Sequence, residues 1–247
     1  MNDLEYFTEH ILPPLQSNEV YFLSASARNK YLDKDEREKY SLGRTEMMLR
    51  KVARSKEQYI HRIEEIQYHL KGYKTRSGLI VPPKATIIYT NINPSNTIKA
   101  YNSLQATANH KIMEALTNPN NSSTSDYFTR IEQNIMTEIQ RAPGRKTWID
   151  VDFDVNNEDP VARFHEELVS HQVRHYTIKT KSGYHVLIDR NTVDYNFHKT
   201  VTELNKEYGG AGGEVILNKN AMVPTPGTLQ GGHMVKILHT LSKEKTT

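Results

Sequence analysis

Apolar and polar positions alternate along this chain in two periods, and the period changes mark the elements. Residues 3–12 read as a short helix stopped by Pro13-Pro14, and residues 20–23 as a strand. Between about residues 45 and 70, Met48, Val52, Ile63, Ile66 and Leu70 recur at roughly helical intervals among mixed Glu and Lys/Arg. That spacing predicts one long, basic, weakly amphipathic helix. A turn at 75–78 leads to two short strands, 79–81 and 85–89, with a Pro-Pro break between them. Asn93-Pro94 reads as a helix start, with Asn as N-cap and Pro at the first helical position. Ile98, Tyr101, Leu104, Ala108, Ile112 and Ala115 then give a helical stripe. Residues 118–125 read as a loop. Phe128, Ile131, Ile135 and Ile139 form a further helical stripe, ended by Ala142-Pro143-Gly144.

From residue 147 the order is legible. Strand 147–153 is followed by helix 159–170, strand 176–180, a turn at 181–183 and strand 184–189. Helix 194–208, with Phe197, Val201 and Leu204 on one side, a glycine-rich link at 209–213 and strands 214–217 and 234–238 complete it. Strand–helix–strand–strand–helix–strand is the split βαβ, ferredoxin-like or RRM-like pattern: one antiparallel sheet, helices on one face, the other face open. The expected fold is therefore α+β. A ferredoxin-like βαββαβ palm over 146–247 carries the acidic site. It is fused to an N-terminal α/β half at 79–145, and a helical, basic region at 1–78 precedes both.

Composition narrows the chemistry. A chain of 247 residues, 36% hydrophobic and 25% charged, can bury a sizeable core. It has no cysteine. That excludes disulfides, a thiolate zinc site, iron–sulfur clusters and a cysteine nucleophile. No apolar run approaches the ~20 residues of a membrane helix, and the acidic start Met1-Asn2-Asp3-Leu4-Glu5 is not a secretory signal. The expected location is the cytoplasm, the host's if the source is a virus or mobile element. Net charge is only +3, yet residues 28–76 hold fourteen Lys/Arg against eight Asp/Glu. Arg50, Lys51 and Arg54 there are candidates to hold nucleic-acid phosphates. A solvated helix with intrahelical ion pairs is the stronger reading of that stretch alone.

The most informative stretch is Trp148-Ile149-Asp150-Val151-Asp152-Phe153-Asp154. A strand's period of two puts Ile149, Val151 and Phe153 on one face and Trp148, Asp150, Asp152 and Asp154 on the other. Neighbouring carboxylates repel unless a cation neutralises them, and Mg²⁺ or Mn²⁺ with substrate phosphates is suited to that. A solvated polar face is the ordinary alternative. Lys179-Thr180-Lys181-Ser182-Gly183-Tyr184-His185 forms a tight hairpin leading into the third strand, beside the first. Its N–H groups, Lys179, Lys181, Ser182, Gly183 and His185 suit a triphosphate; a half-buried structural histidine is the alternative. Glu214 on the last strand of the unit is a candidate third carboxylate, and the Pro226-Gly227-Thr228 turn after it can approach a nucleotide closely. No G-x-x-x-x-G-K-[ST] loop and no G-x-S-x-G elbow is present.

Three of these features, in this order, resemble the archaeo-eukaryotic primase (primase-polymerase) superfamily. Ile149-Asp150-Val151-Asp152 resembles its first motif. Ser182-Gly183-Tyr184-His185-Val186 resembles its second, and Glu214 followed by Pro226-Gly227-Thr228-Leu229 its third. The resemblance implies template-directed nucleotidyl transfer on single-stranded DNA with Mg²⁺ or Mn²⁺; the zinc-binding module of many relatives is excluded here by the lack of cysteine. Asp150, Asp152 and Glu214 would be the catalytic and metal ligands. His185 and Ser182 would contact the phosphates of the incoming nucleoside triphosphate, with Lys236 near the place of a lysine that follows the turn. Partners would be the template strand and nucleoside triphosphates, with a replicative helicase beside such a core and no membrane. The sequence departs from the family in lacking an arginine before the Pro-Gly turn, and in Asn218, a poor metal ligand, near the acidic position. Two further readings stay open: an inactive relative that only binds single strands, and a metal-dependent nuclease.

Overall fold

The computed structural model describes residues 1–75, 78–118, 122–155, 158–193, 196–209, 213–218 and 222–238. Residues 194–195 of the predicted helix, 119–121 of the predicted loop, most of the glycine link and Arg76 lie outside them, and residues 122–125 of that loop are helical. The architecture is α+β. Among the described residues there are eight α-helices and antiparallel sheets of five, five and two strands.

The chain opens with α1 (Asp3–Tyr6), capped by Asn2 and Glu5, which runs on through a π-turn to Ile11. β1 (Glu19–Ala27) follows, buried along its whole length. After α2 (Lys34–Tyr40) comes β2 (Glu46–Ala53), then α3 (Lys56–Leu70). The expected single helix over 45–70 is therefore a strand and a shorter helix. Ser55 breaks it: its hydroxyl accepts from the Gln58 N–H as the N-cap of α3. The strand at 79–81 is also absent; Ile80 makes one isolated bridge with Lys74. β3 (Thr86–Asn91) and the two-residue β4 (Ser95–Asn96) both pair with β1.

The first sheet runs β2-β1-β3, extended on β3 by β9 (Met222–Pro224). A boundary at residue 78 would cut β1 from β3, and one at residue 146 would cut β9 from the same sheet. Residues 1–78 thus contribute two strands besides helices, and the first sheet draws on all three expected segments. On one face of this sheet Tyr21, Leu23, Ala25 and Ile88 meet Tyr59, Ile63 and Ile66 of α3.

Asn93 does not begin a helix. Asn96 caps α4 (Thr97–Thr117), accepting from the Lys99 N–H at 2.9 Å. Asn93 instead accepts from the Thr147 and Trp148 N–H groups at 2.8 and 2.9 Å, and its amide donates to the Trp148 carbonyl at 2.9 Å. It thereby pins the entry of the acidic strand to the first sheet. Asn93→Ala would leave buried backbone groups unpaired. It is expected to cost roughly 2–4 kcal/mol in urea unfolding; a loss below about 0.5 kcal/mol would contradict that role. α5 (Ser122–Thr129) and α6 (Ile131–Arg141) pack back on α4.

The second sheet starts with β5 (Trp148–Asp154), followed by α7 (Asp159–Ser170), β6 (His175–Lys179), β7 (Tyr184–Asp189), α8 (His198–Tyr208) and β8 (Glu214–Asn218). β10 (Leu229–Gln230) and β11 (His233–Met234) form a small ribbon, and β12 (Lys236–Leu238) adds the last strand. The order is β12-β6-β7-β5-β8, all antiparallel. Val151, Phe153, Val186 and Val215 face Phe164, Leu168, Val201 and Leu204 of the two helices. The opposite face is not open, as the sequence suggested. Its lower half, Trp148, Ile178 and Leu187, joins the core of the first sheet through Phe7 and Ile11, and the Trp148 indole donates to the Ile11 carbonyl at 2.7 Å. Only the upper half is left to line a cleft. Among the described residues no helix is long and apolar enough to cross a membrane.

Candidate functional site

The cleft has a volume of about 930 Å³ and lies between the uncovered face of the first sheet, α6 and the acidic strand. Asp152, Asp154, Ser182, Gly183, His185 and Asn218 are among its lining residues. The alternation read from the sequence holds on β5: Val151 and Phe153 go to the helices, and Asp150 and Asp152 to the other face. In register, Asp152 pairs with His185, Asp150 with Asn218 and Asp154 with Glu214. The strand order therefore brings Asp150, Asp152 and His185 together.

Their contacts differ from expectation. The Asp150 side chain is fully buried, with both oxygens 3.1 Å from His185 Nδ1. Asn218 Nδ2 donates to Asp150 Oδ2 at 2.9 Å. His185 Nε2 stands 3.7 Å from Asp152 Oδ1. Burial alone would push the His185 imidazole down. The charge of Asp150, the hydrogen bond to it and the charges of Asp152 and Asp154 outweigh burial and hold it up at about 9. An imidazolium therefore offsets part of the acids' charge, and both ring nitrogens of His185 point at carboxylates although the residue borders the cleft. The Asp152 carboxyl is raised above its ordinary range, by burial first. His185 and Lys30 pull it down, and the like charges of Asp150 and Asp154 raise it.

The expected metal set does not assemble. Glu214 sits opposite Asp154, exposed and off the cleft lining, because it lies two pleats beyond the Asp150 level; Asn218 occupies that level. Among the described residues no three His, Asp or Glu side chains stand where they could together hold a metal ion. The donor set that faces the cleft is Asp152 with Asp154. Two carboxylates on one face of the strand fit a hard divalent ion that completes its shell with substrate phosphate and water.

The lysines and arginines sort by strand parity. Ile178 pairs with His185, so Lys179 points to the opposite face, where it meets Glu158 at 2.8 Å. Lys236 pairs with Lys179 and shares that face. Neither reaches the site, which corrects their assignment to the nucleotide. Lys181 donates to the Gly231 carbonyl at 2.7 Å and stacks over Tyr31, fixing the hairpin to the 229–232 turn. Gly183 packs against the Phe153 carbonyl so closely that a side chain would collide with it. On β2, Arg50 lines the cleft and donates to Thr137 Oγ1 at 2.7 Å. Lys51 points the other way to Glu65 at 2.6 Å, and Arg54 is exposed beyond the strand end. The basic helix expected to grip a template is not there.

Sequence reading missed most of the wall opposite the acids, naming only Arg50 of it. Arg28, Lys30, Arg50, Arg141, Arg145 and Lys146 line the cleft. Arg145 is taken by the buried Glu19 at 2.9 Å, which leaves five cations facing two aspartates. The signal for one of them was legible. Ser24, Ser26 and Arg28 alternate with apolar residues at a period of two along a buried strand.

No family model matches the chain, and no curated protein or solved structure is detectably similar to it.

Proposed function

We propose that this chain is a nucleotidyltransferase core of the primase-polymerase type, joining nucleotides on a single-stranded template in the interlayer cleft. The observation that carries the reading is one cleft with cations along the first sheet, α6 and the loop before β5 on one side, and Asp152 and Asp154 of the second sheet on the other. That polarity suits a polyanion whose reacting phosphoryl group lies against the acids. The order β6-β7-β5-β8 with α7 and α8 as crossovers supports a ferredoxin-like palm. The Asp-x-Asp strand and the hairpin that leads into His185 lie side by side on it, which supports the resemblance.

The chain's residues would divide the work. The cations of the first sheet hold the triphosphate and strand phosphates, screening their mutual repulsion. Asp152 and Asp154 would hold Mg²⁺ or Mn²⁺, which would supply positive charge to the phosphoryl group; the 3′-hydroxyl gives its proton to solvent, its oxygen bonds to the α-phosphorus, and pyrophosphate leaves. His185 holds Asp150 and keeps the acidic strand from carrying an unscreened cluster of negative charge.

A second reading has its own observation. Asp150 is bound on both oxygens, and an asparagine stands at its level. Both fit a relative that binds single strands without catalysis. A labelled primer on a single-stranded template, incubated with Mg²⁺ or Mn²⁺ with and without nucleotides, separates the readings. Nucleotide-dependent lengthening is the expected result. A strand bound but unchanged selects the binding module, and nucleotide-independent shortening selects a nuclease; either overturns the polymerase.

A further inference from the structure

The cleft face of β1 carries two polar groups with nothing to bond. The Ser24 side chain is 1% exposed, and its hydroxyl has no hydrogen-bond partner among the described residues. The Nε–H of Arg28, buried at the atom, has none either. Both line the cleft, and both stand on one face of the strand, since Arg28 continues β1 in an extended conformation. Tyr89 pairs with Ser24 on the neighbouring strand, and its hydroxyl accepts from Arg28 Nη1 at 3.0 Å. That bond fixes the guanidinium while leaving its Nε–H unused. Buried donors without partners are rare in folded proteins, because each forfeits hydrogen bonds that water gave it. Two on one face of a cation-lined cleft mark a place built for an acceptor.

We propose that Ser24 and Arg28, with Tyr89 positioning the guanidinium, form a phosphate-binding subsite on the first sheet, directed at a phosphoryl group of a nucleotide or of a nucleic-acid strand. It rests on reading the cleft as a phosphate site and adds which residues of the first sheet take the anion. An ionised phosphate oxygen accepts from both a hydroxyl and a guanidinium Nε–H, and it carries the charge that Arg28, Lys30 and Arg50 surround. A neutral sugar or base would satisfy the hydroxyl and leave the cations unpaired.

The test is equilibrium binding of ATP with Mg²⁺, adenosine, and a twelve-nucleotide oligo-dT. Each is titrated into the wild-type chain and the Ser24→Ala, Arg28→Gln and Arg28→Lys variants, with Lys199→Gln, exposed on α8 and off the cleft lining, as a surface control. Arg28→Gln is expected to weaken ATP or oligo-dT by about tenfold or more, and Ser24→Ala by about fivefold. Arg28→Lys, which keeps charge and loses Nε–H, falls between. Adenosine is expected not to bind. The ligand weakened identifies the source of the phosphate, nucleotide or strand. Ser24→Ala removes no bond from the free protein, so its Tm is expected at or above that of the wild type; its weakened binding cannot come from misfolding. Wild-type affinities in both Ser24→Ala and Arg28→Gln, equal losses in Lys199→Gln, or no binding by the wild type would each overturn the subsite. Primer extension by a wild type whose variants bind normally would overturn this subsite alone. Weakened variants of a wild type that extends nothing would overturn the polymerase alone.

Discussion

Asp152→Asn is expected to reduce primer extension at least about a thousandfold while leaving the fold intact. The reason lies in which carboxylates reach the cleft. Asp152 is one-third exposed at its side chain and faces the cations of the first sheet, whereas Asp150 is sealed beneath it. Removing the Asp152 charge also relieves repulsion from Asp150 and Asp154, so stability is expected to hold or rise. Glu214→Gln, at an exposed position off the cleft, is expected to keep wild-type activity. Steady-state extension and urea unfolding of both variants check this together. Activity surviving in Asp152→Asn, or vanishing in Glu214→Gln, would contradict the assignment.

Asp150→Asn is expected to act on stability first and to show it as a changed pH dependence. His185 is held at about 9 against an ordinary 6.5. Its pKa is raised on folding, so its stabilisation is complete below about pH 6.5 and disappears as pH climbs through about 9. At pH 7 the linkage amounts to roughly 2–3 kcal/mol. Without the Asp150 charge the imidazole loses its main partner, and burial then favours the neutral ring. The variant is expected to be less stable by about that amount near neutrality and to converge on the wild type above about pH 9. Urea unfolding from pH 6 to 10 measures it. Parallel wild-type and variant profiles would falsify the imidazolium account. Through this contact Asp150 is a positioning residue, and its loss of activity should follow its loss of stability.

The site's frame was legible because strand alternation is a local property. Val151 and Phe153 could bury only on one side, which put Asp150, Asp152 and Asp154 on the other. The connection pattern then put His185 beside them. What the sequence hid were partners set by distant pairing. Met48 and Val52 mimic a helical interval, yet residues 46–53 form the outer strand of a sheet. Its long side chains are half-covered on both faces, so no clean alternation shows. Asn93-Pro94 carries a helix-start signature, but the Asn side chain is drawn to backbone groups more than fifty residues away. Lys179 lost its place by one step of parity. The cationic wall was hidden because its members come from the segment just after β1, from β2, from α6 and from the loop before β5, and only the fold unites them.

Crystals grown with Mn²⁺ and a nucleoside triphosphate carrying a non-transferable α–β bridge give the most direct measurement. Anomalous density for Mn²⁺ against Asp152, with the triphosphate spanning to Arg28 across the cleft, is the expected result. Nucleotide bound outside the cleft, or Mn²⁺ seated on Glu214 with Asp152 empty, would contradict it.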